Sequence, residues 1–215
     1  FDFIEEVDEL NNNASRTLVE PQFSDCSSKA GLADLPSFET MALGDFDNDN
    51  DLDIFAMNSE SDMLYQNNNS EFFHKQTLMD EENYDLQITG NGNKAVFVDI
   101  NNDGLLDIYK ETQMNHKFYL LATHQIYESV SLKDEVNQQI SGKILGFFDY
   151  DNDGLLDFYT KELSNHSSFK NTLYQNLGNL VFRDVTLSAQ LSGTPLIHNI
   201  ASCDFDNDCD VDLFC

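Results

Sequence analysis

The chain repeats a nine-residue pattern, and its third copy reads Asp149-Tyr150-Asp151-Asn152-Asp153-Gly154-Leu155-Leu156-Asp157. The other copies lie at residues 45–53, 99–107 and 204–212, and the four copies start 54, 50 and 55 residues apart. Each copy has an oxygen-bearing side chain at positions 1, 3, 5 and 9. So many carboxylates repel one another unless a cation lies among them. We therefore number the copies loops 1 to 4, in chain order, and interpret them as candidate metal sites.

Calcium is the cation that this arrangement of oxygens suits best. Ca²⁺ takes about six to eight oxygen ligands in a flexible shell, and alternate side chains of a curled loop supply them. Position 7 varies in type, as expected if only its backbone carbonyl is a ligand. We predict up to four Ca²⁺ ions, one per loop. The predicted ligands are Asp45, Asp47, Asp49, Asp51 and Asp53 in loop 1; Asp99, Asn101, Asp103, Leu105 and Asp107 in loop 2; Asp149, Asp151, Asp153, Leu155 and Asp157 in loop 3; and Asp204, Asp206, Asp208, Asp210 and Asp212 in loop 4.

Two positions distinguish the loops from one another. Position 6 is Asn50, Gly104, Gly154 or Cys209. Glycine and asparagine tolerate the left-handed backbone of a sharp turn better than cysteine does, so loop 4 fits the pattern least well. Position 3 of loop 2 is Asn101, which removes one carboxylate from the site. We therefore predict that loop 2 binds Ca²⁺ most weakly.

The main alternative for each loop is an EF-hand, which shares the first half of the pattern. An EF-hand closes with a glutamate at position 12 and lies between two helices. No copy has glutamate there, and the loops are followed by pairs such as Ile54-Phe55 and Ile108-Tyr109, which are typical of strands. Each loop is therefore predicted to join two β-strands. Acidic surface turns that bind no metal remain the other interpretation.

The segments between the loops repeat as well. Leu64-Tyr65-Gln66-Asn67 follows loop 1 and Leu173-Tyr174-Gln175-Asn176 follows loop 3, and each leads through a turn to another apolar run. A unit of about 50 residues thus contains four strands, which is the signature of a β-propeller blade. We predict an all-β propeller segment of a larger ring. Its predicted parts are an acidic polar N-terminal arm (1–20), an outer strand (21–32), blades at about 38–80, 93–133 and 142–187, and a partial blade (197–215).

These motifs resemble the FG-GAP/VCBS repeat family, and most closely the cartilage acidic protein group within it. The resemblance covers about residues 21–215 and rests on Ala30-Gly31-Leu32, residues 44–54, Leu64-Tyr65-Gln66-Asn67 and the run from Phe182 to Thr186. It implies a propeller like that of integrin α-subunits, typically seven-bladed, with Ca²⁺ loops between the first two strands of a blade. Departures from the family pattern are Asn101, Asn50, Cys209 and the diverged third and fourth strands of the second blade.

The charge and the cysteine content limit which binding partners and which cellular compartment we expect. The net charge of −28 disfavours nucleic acid and anionic membranes as partners. No stretch approaches the roughly 20 apolar residues of a membrane span. The even number of cysteines permits disulfides in an oxidising compartment, with the pairing left open. The cysteines are Cys26, Cys203, Cys209 and Cys215, and the glycosylation sequons that weakly favour secretion begin at Asn13, Asn68 and Asn165.

The expected function is that of an extracellular module, secreted or on the cell surface, which binds a protein or glycan ligand and holds structural Ca²⁺. We expect no enzymatic activity, because no catalytic constellation is separable from the loops. The alternatives are a calcium-dependent polysaccharide lyase or other carbohydrate-active enzyme, and a structural subunit of a larger extracellular assembly. The 11 basic residues do not cluster, which argues against a lyase for acidic sugars. The aromatic residues after the loops are expected to pack between blades rather than to stack on sugars; they are Phe55, Tyr109, Tyr159 and Phe214.

Overall fold

The structure is a computed structural model, and all regular elements among its described residues are β-strands. No helix that is long and apolar enough to cross a membrane occurs in the described part of the chain. The predicted N-terminal arm and the sequons at Asn13 and Asn165 lie outside the described residues. Those residues are 23–33, 35–58, 62–68, 72–76, 92–112, 116–123, 126–163, 169–193, 195 and 197–215.

Three four-stranded antiparallel units follow one another along the chain, and each pairs its strands in chain order. This confirms the predicted all-β fold built of four-stranded blades. Blade 1 comprises β1 (Thr40–Gly44), β2 (Asp53–Met57), β3 (Asp62–Asn67) and β4 (Phe73–Gln76), and blade 2 comprises β5 (Gly92–Val98), β6 (Asp107–Thr112), β7 (His116–Thr123) and β8 (Ile126–Val130). A short strand, β9 (Lys133–Asp134), precedes blade 3, which comprises β10 (Lys143–Phe148), β11 (Asp157–Leu163), β12 (Phe169–Asn176) and β13 (Val181–Asp184). The partial blade pairs β14 (Ala201–Cys203) with β15 (Asp212–Phe214).

Each loop closes the hairpin between the first two strands of its blade. In blade 3, Asp157 at position 9 pairs with Phe148, the residue immediately before position 1. The same register holds in the other blades and in the partial blade. Position 9 therefore begins the second strand in every copy, and the loop projects from the end of the hairpin.

Aromatic side chains fill the spaces between blades. Phe55 and Tyr109, which follow loops 1 and 2, are fully buried. Phe97 of blade 2 packs edge-on against Phe55 with ring centroids 6.3 Å apart, and Phe147 of blade 3 packs against Tyr109 at 5.4 Å. Tyr159 is also buried, so packing between blades is confirmed for these three aromatic residues. The fourth, Phe214 of the partial blade, is 81% exposed.

The outer strand predicted over residues 21–32 is wrong for residues 23–32. Residues 23–26 form no strand and residues 27–31 form a turn. Ala30 O accepts the N–H of Phe73 on β4 at 3.0 Å, but no ladder of backbone hydrogen bonds joins this segment to another strand among the described residues, and a strand needs such a ladder. The turn does match its predicted twin near residue 189. Ala30 donates its backbone N–H to Cys26 O at 2.9 Å, and Ala189 donates to Val185 O at 2.9 Å.

Blade 3 has a fifth strand that sequence reasoning missed. Lys133 and Asp134 form β9, which pairs in parallel with β13 through Val181 and Phe182. This segment was placed at the end of the second predicted blade, yet it covers the edge strand of the third. An edge strand exposes unpaired backbone groups, and covering it satisfies them.

Candidate metal centres

The first aspartate of each loop curls the backbone around itself. In loop 3, Asp149 Oδ1 accepts the N–H of Asp153 at 3.1 Å, and Oδ2 accepts the N–H of Gly154 at 2.9 Å. Asp45, Asp99 and Asp204 accept the same two bonds in their own loops. Position 1 is therefore held in the loop by its bonds to positions 5 and 6.

Two positions of every loop have a left-handed backbone. Position 6 has φ of 72° at Asn50, 85° at Gly104 and Gly154, and 73° at Cys209, which confirms the sharp turn expected there. Position 4 is also left-handed, which sequence reasoning missed. The signal was the asparagine at position 4 of all four copies, because asparagine tolerates this conformation better than most residues. The four φ values are 59° at Asn48, 57° at Asn102, 58° at Asn152 and 60° at Asn207.

We expect Cys209→Gly to raise the free energy of unfolding by about 1 kcal/mol, because a Cβ in the left-handed region is strained. Urea denaturation measures the change. Cys209→Ala is the matched control, since it removes the thiol and keeps the Cβ, and it should give no gain. Gly154→Ala should lower the free energy of unfolding. The cause would be backbone strain alone, because an added Cβ there meets no atom within 4 Å. Equal gains from Cys209→Gly and Cys209→Ala would contradict the strain argument.

The last aspartate of each loop ties the loop to the third strand of its blade. Asp157 Oδ2 accepts the N–H of Tyr150 at 2.7 Å, and its Oδ1 accepts the N–H of Asn176 on β12 at 2.6 Å. Asp53 and Asp107 make the equivalent pairs of bonds, and all three residues are fully buried. In the partial blade, Asp212 is exposed and accepts only the N–H of Phe205 among the described residues.

Burial raises the pKa of these position-9 carboxyls. It raises the pKa of Asp53 to about 6, that of Asp107 to about 7 and that of Asp157 to about 6. The two backbone hydrogen bonds to each carboxylate act in the opposite direction, while the nearby loop carboxylates, such as Asp47 and Asp49 beside Asp53, raise the pKa further. A cation among these groups would relieve the repulsion and favour the ionised forms.

Positions 1, 3 and 9 converge in three of the four loops. One carboxylate oxygen from each residue of the set lies within 4.8 Å of the others. Loop 2 forms no such group among the described residues, because Asn101 stands at position 3 and donates its Nδ2 to Asp103 Oδ2 at 2.9 Å. The three groups could hold a metal ion, and they are Asp45, Asp47 and Asp53; Asp149, Asp151 and Asp157; and Asp204, Asp206 and Asp212.

The side chains of positions 5 and 7 are not members of these groups, and the position-5 side chain bonds to the backbone of position 7 instead. The position-5 carboxylate accepts the backbone N–H of position 7 at 2.8–2.9 Å in every loop. The predicted ligand role of positions 5 and 7 therefore stays a prediction. The residues concerned are Asp49 and Asp51, Asp103 and Leu105, Asp153 and Leu155, and Asp208 and Asp210.

The donor set fits a hard divalent cation. Asp47 Oδ1 is buried and has no hydrogen-bond partner, whereas Asp47 Oδ2 accepts the side-chain amide of Gln66. A buried carboxylate oxygen without a partner is unfavourable, and a cation beside it would provide one. All donors in the group are oxygens, which favours calcium or magnesium over zinc or copper.

A glutamine from the third strand holds position 3 in two loops. Gln66 donates to Asp47, and Gln175 donates to Asp151 in the same way. Sequence reasoning used this glutamine only as a mark of the repeat. The sequence did contain a signal for this contact, because both residues are replaced together in blade 2. Leu120 stands in place of the glutamine and Asn101 in place of the aspartate.

Neighbouring loops contact each other through position 4. Asn48 Nδ2 of loop 1 donates to Gly104 O of loop 2 at 3.2 Å. Asn152 Nδ2 of loop 3 donates to Cys209 O of loop 4 at 3.3 Å and to Asp210 Oδ1 at 2.9 Å. The loops therefore lie side by side along one edge of the blades.

The predicted modification sites have mixed outcomes. Asn68 is exposed in the turn between β3 and β4, as a glycosylated residue must be. All four cysteines are exposed and free, so no disulfide is present in the described part of the chain. Disulfide bonding and glycosylation stay predictions.

Comparison with known protein families identifies the repeats. The family profile described as FG-GAP-like repeat matches residues 45–109 and 149–215. These two stretches make up more than half of the chain and contain all four loops. No curated protein and no solved structure matches the chain.

Proposed function

Because the chain belongs to the FG-GAP-like repeat family, we propose that it is a calcium-binding β-propeller module with one structural Ca²⁺ in each loop. The observation that supports this most directly is the convergence of the carboxylates of positions 1, 3 and 9 in loops 1, 3 and 4. In loop 1 this group includes the unpartnered buried oxygen of Asp47. Such an ion neutralises part of the −28 net charge and stabilises the folded state by binding it preferentially.

The chain's own residues set the order in which the loops fill. Loops 1 and 3 have three converging carboxylates, with a glutamine holding position 3. Loop 4 has the three carboxylates, but Asp212 is exposed, which lets water compete with the ion. Loop 2 has a neutral amide at position 3 and binds most weakly. The proposed order of affinity is therefore loops 1 and 3, then loop 4, then loop 2.

The proposed role of the module is non-catalytic binding of a protein or glycan in the extracellular space. Repeats of this family are typical of extracellular proteins and mediate protein interactions, and the exposed Asn68 is compatible with glycosylation. Weak calcium loops also suit extracellular fluid, where Ca²⁺ is far more abundant than in the cytosol. The closer relationship to the cartilage acidic protein group belongs to this proposal as well.

A thermal melt of the full chain with millimolar Ca²⁺ and with excess chelator tests the proposal. A site with Ca²⁺ at 100 times its Kd stabilises by about 2.7 kcal/mol, or roughly 5–10 °C for a chain of this size. The shift should be lost in the variant Asp45→Ala, Asp149→Ala, Asp204→Ala. The matched control Glu39→Ala, Glu128→Ala, Glu135→Ala removes three exposed charges outside the loops and should retain it. A melting temperature that does not change with Ca²⁺, or a control variant that loses the shift equally, would refute structural calcium.

A further inference from the structure

One peptide group connects each pair of contacting loops. The carbonyl of Gly104 accepts the Asn48 side chain from loop 1, and the N–H of the same peptide, on Leu105, donates to Asp103 Oδ1 at 2.9 Å. Loops 3 and 4 repeat this arrangement, with the carbonyl of Cys209 accepting Asn152 and the following N–H donating to Asp208 Oδ1 at 2.9 Å. Each asparagine therefore donates a hydrogen bond to the turn that places positions 5 and 7 of the next loop, and so stabilises that turn.

The donor asparagine is itself positioned by its own loop. Asn48 has a left-handed backbone, and the next residue, Asp49, donates its N–H to the position-1 carboxylate of Asp45 at 3.0 Å. An ion bound to loop 1 would draw in the carboxylates and order this backbone. The Asn48 amide would then be held in the orientation that supports the turn of loop 2.

We propose that Asn48 and Asn152 couple neighbouring loops, so that Ca²⁺ in loop 1 raises the affinity of loop 2 and Ca²⁺ in loop 3 raises that of loop 4. This inference rests on the proposed calcium function. The coupling is reciprocal, because a change in affinity between two sites is shared equally by both. The coupling raises the Ca²⁺ affinity of the two loops with the less favourable metal ligands. Loop 2 has the neutral Asn101 at position 3, and loop 4 has the exposed Asp212 at position 9.

Loops 2 and 3 are joined differently and are not part of this coupling. Asn102 makes no hydrogen bond to loop 3 among the described residues. Asn176 Nδ2 instead donates to Ile100 O of loop 2 and to Leu156 O of loop 3, both at 3.1 Å. Asn176 is 2% exposed and lies on β12, so strand pairing holds it whether or not a loop contains an ion. The coupling is therefore pairwise, between loops 1 and 2 and between loops 3 and 4.

Two glycine amides allow the loops to be followed one at a time. Gly104 N–H bonds to Asp99 in loop 2, and Gly154 N–H bonds to Asp149 in loop 3, each at 2.9 Å. In the full chain labelled with ¹⁵N-glycine, each amide signal should move as Ca²⁺ fills its own loop. Asn48→Gly keeps the left-handed backbone and removes the side chain. It should shift the Gly104 midpoint to roughly two- to tenfold higher Ca²⁺, the value of one hydrogen bond, and leave the Gly154 midpoint unchanged.

Two further variants separate coupling from local damage. Asn102→Gly makes the same local change in loop 2 without breaking a bond to loop 3, so the Gly154 midpoint should stay in place. Asn48→Asp keeps the size of the side chain, removes its donor and adds a negative charge that by itself favours Ca²⁺ binding. It should still shift Gly104 in the same direction as Asn48→Gly, and such a shift can come only from the lost donor. An unchanged Gly104 midpoint in Asn48→Gly, with both signals still responding to Ca²⁺, would overturn the coupling alone. Equal shifts of the Gly104 and Gly154 midpoints would overturn the coupling, because they would indicate general destabilisation of the chain. Signals that ignore Ca²⁺ in the unaltered chain would overturn the calcium function and the coupling with it.

Discussion

Asp157→Ala should lower the free energy of unfolding of the calcium-free chain by about 2–4 kcal/mol, since it leaves one buried and one partly buried N–H group without partners and each costs about 1–3 kcal/mol. The two groups are the backbone amides of Tyr150 and Asn176. Urea denaturation in excess chelator measures the loss without any contribution from bound metal. The result would show that position 9 stabilises the blade through its own hydrogen bonds.

The partial blade contains the matched control for this experiment. Asp212 occupies the same position, but it is exposed and accepts one backbone N–H, from Phe205. We expect Asp212→Ala to cost less than about 1 kcal/mol, because water replaces a lost partner at an exposed site. If the two variants were equally destabilised in chelator, the buried hydrogen bonds would not be the cause.

Acidification should stabilise the folded chain in excess chelator and destabilise it in the presence of Ca²⁺. Burial places the pKa of Asp53, Asp107 and Asp157 at about 6, 7 and 6 in the folded chain, whereas an unfolded aspartate titrates near 3.9. Between about pH 4 and pH 7 the folded chain therefore binds more protons than the unfolded chain. This contribution to stability is fully present below about pH 4 and is lost as the pH rises through 6 to 7, with a slope of up to about 1.4 kcal/mol per pH unit for each group.

Calcium reverses this slope because it binds the ionised carboxylates and competes with protons. With Ca²⁺ present, acidification from about pH 8 to about pH 5 should lower the melting temperature, whereas in chelator it should raise it. General repulsion across the acidic surface also weakens at low pH, so the chelator series is repeated in high salt, which screens exposed charges more than buried ones. A slope of the same sign in both series, or a chelator slope that vanishes in high salt, would contradict the role given to the buried carboxyls.

The fold and the geometry inside each loop were predictable because they depend on short stretches of sequence. The hydrogen bonds of Asp149 reach only positions 5 and 6 of its own loop, and the turn at Gly154 needs a left-handed residue at that point. Four copies of one pattern, each flanked by strand-forming residues, therefore sufficed to predict hairpin loops in four-stranded blades. The calcium ligands themselves stay a prediction.

The features that sequence reasoning missed depend on how separate segments meet in space. The bond from Asn48 to Gly104 joins residues 56 positions apart, and β9 pairs with β13 across most of blade 3. No local pattern specifies such a pairing. The outer strand predicted around Phe23 was wrong for a related reason, since its sequence matched that of Phe182 while its surroundings did not. The contact of Gln66 with Asp47 was the exception, because their joint replacement in blade 2 was visible in the sequence.

The buried position-9 carboxylate also has a consequence for the order in which the protein takes shape. Its bonds in blades 1 and 2 reach residues 7 positions before it and 14 positions after it, and in blade 3 they reach 7 before and 19 after. Among the described residues, no other blade provides a partner for this carboxylate. As the chain leaves the ribosome, the central polar contact of each blade is therefore complete once its third strand has emerged. Each blade reaches that point in turn, before the loop of the following blade has emerged.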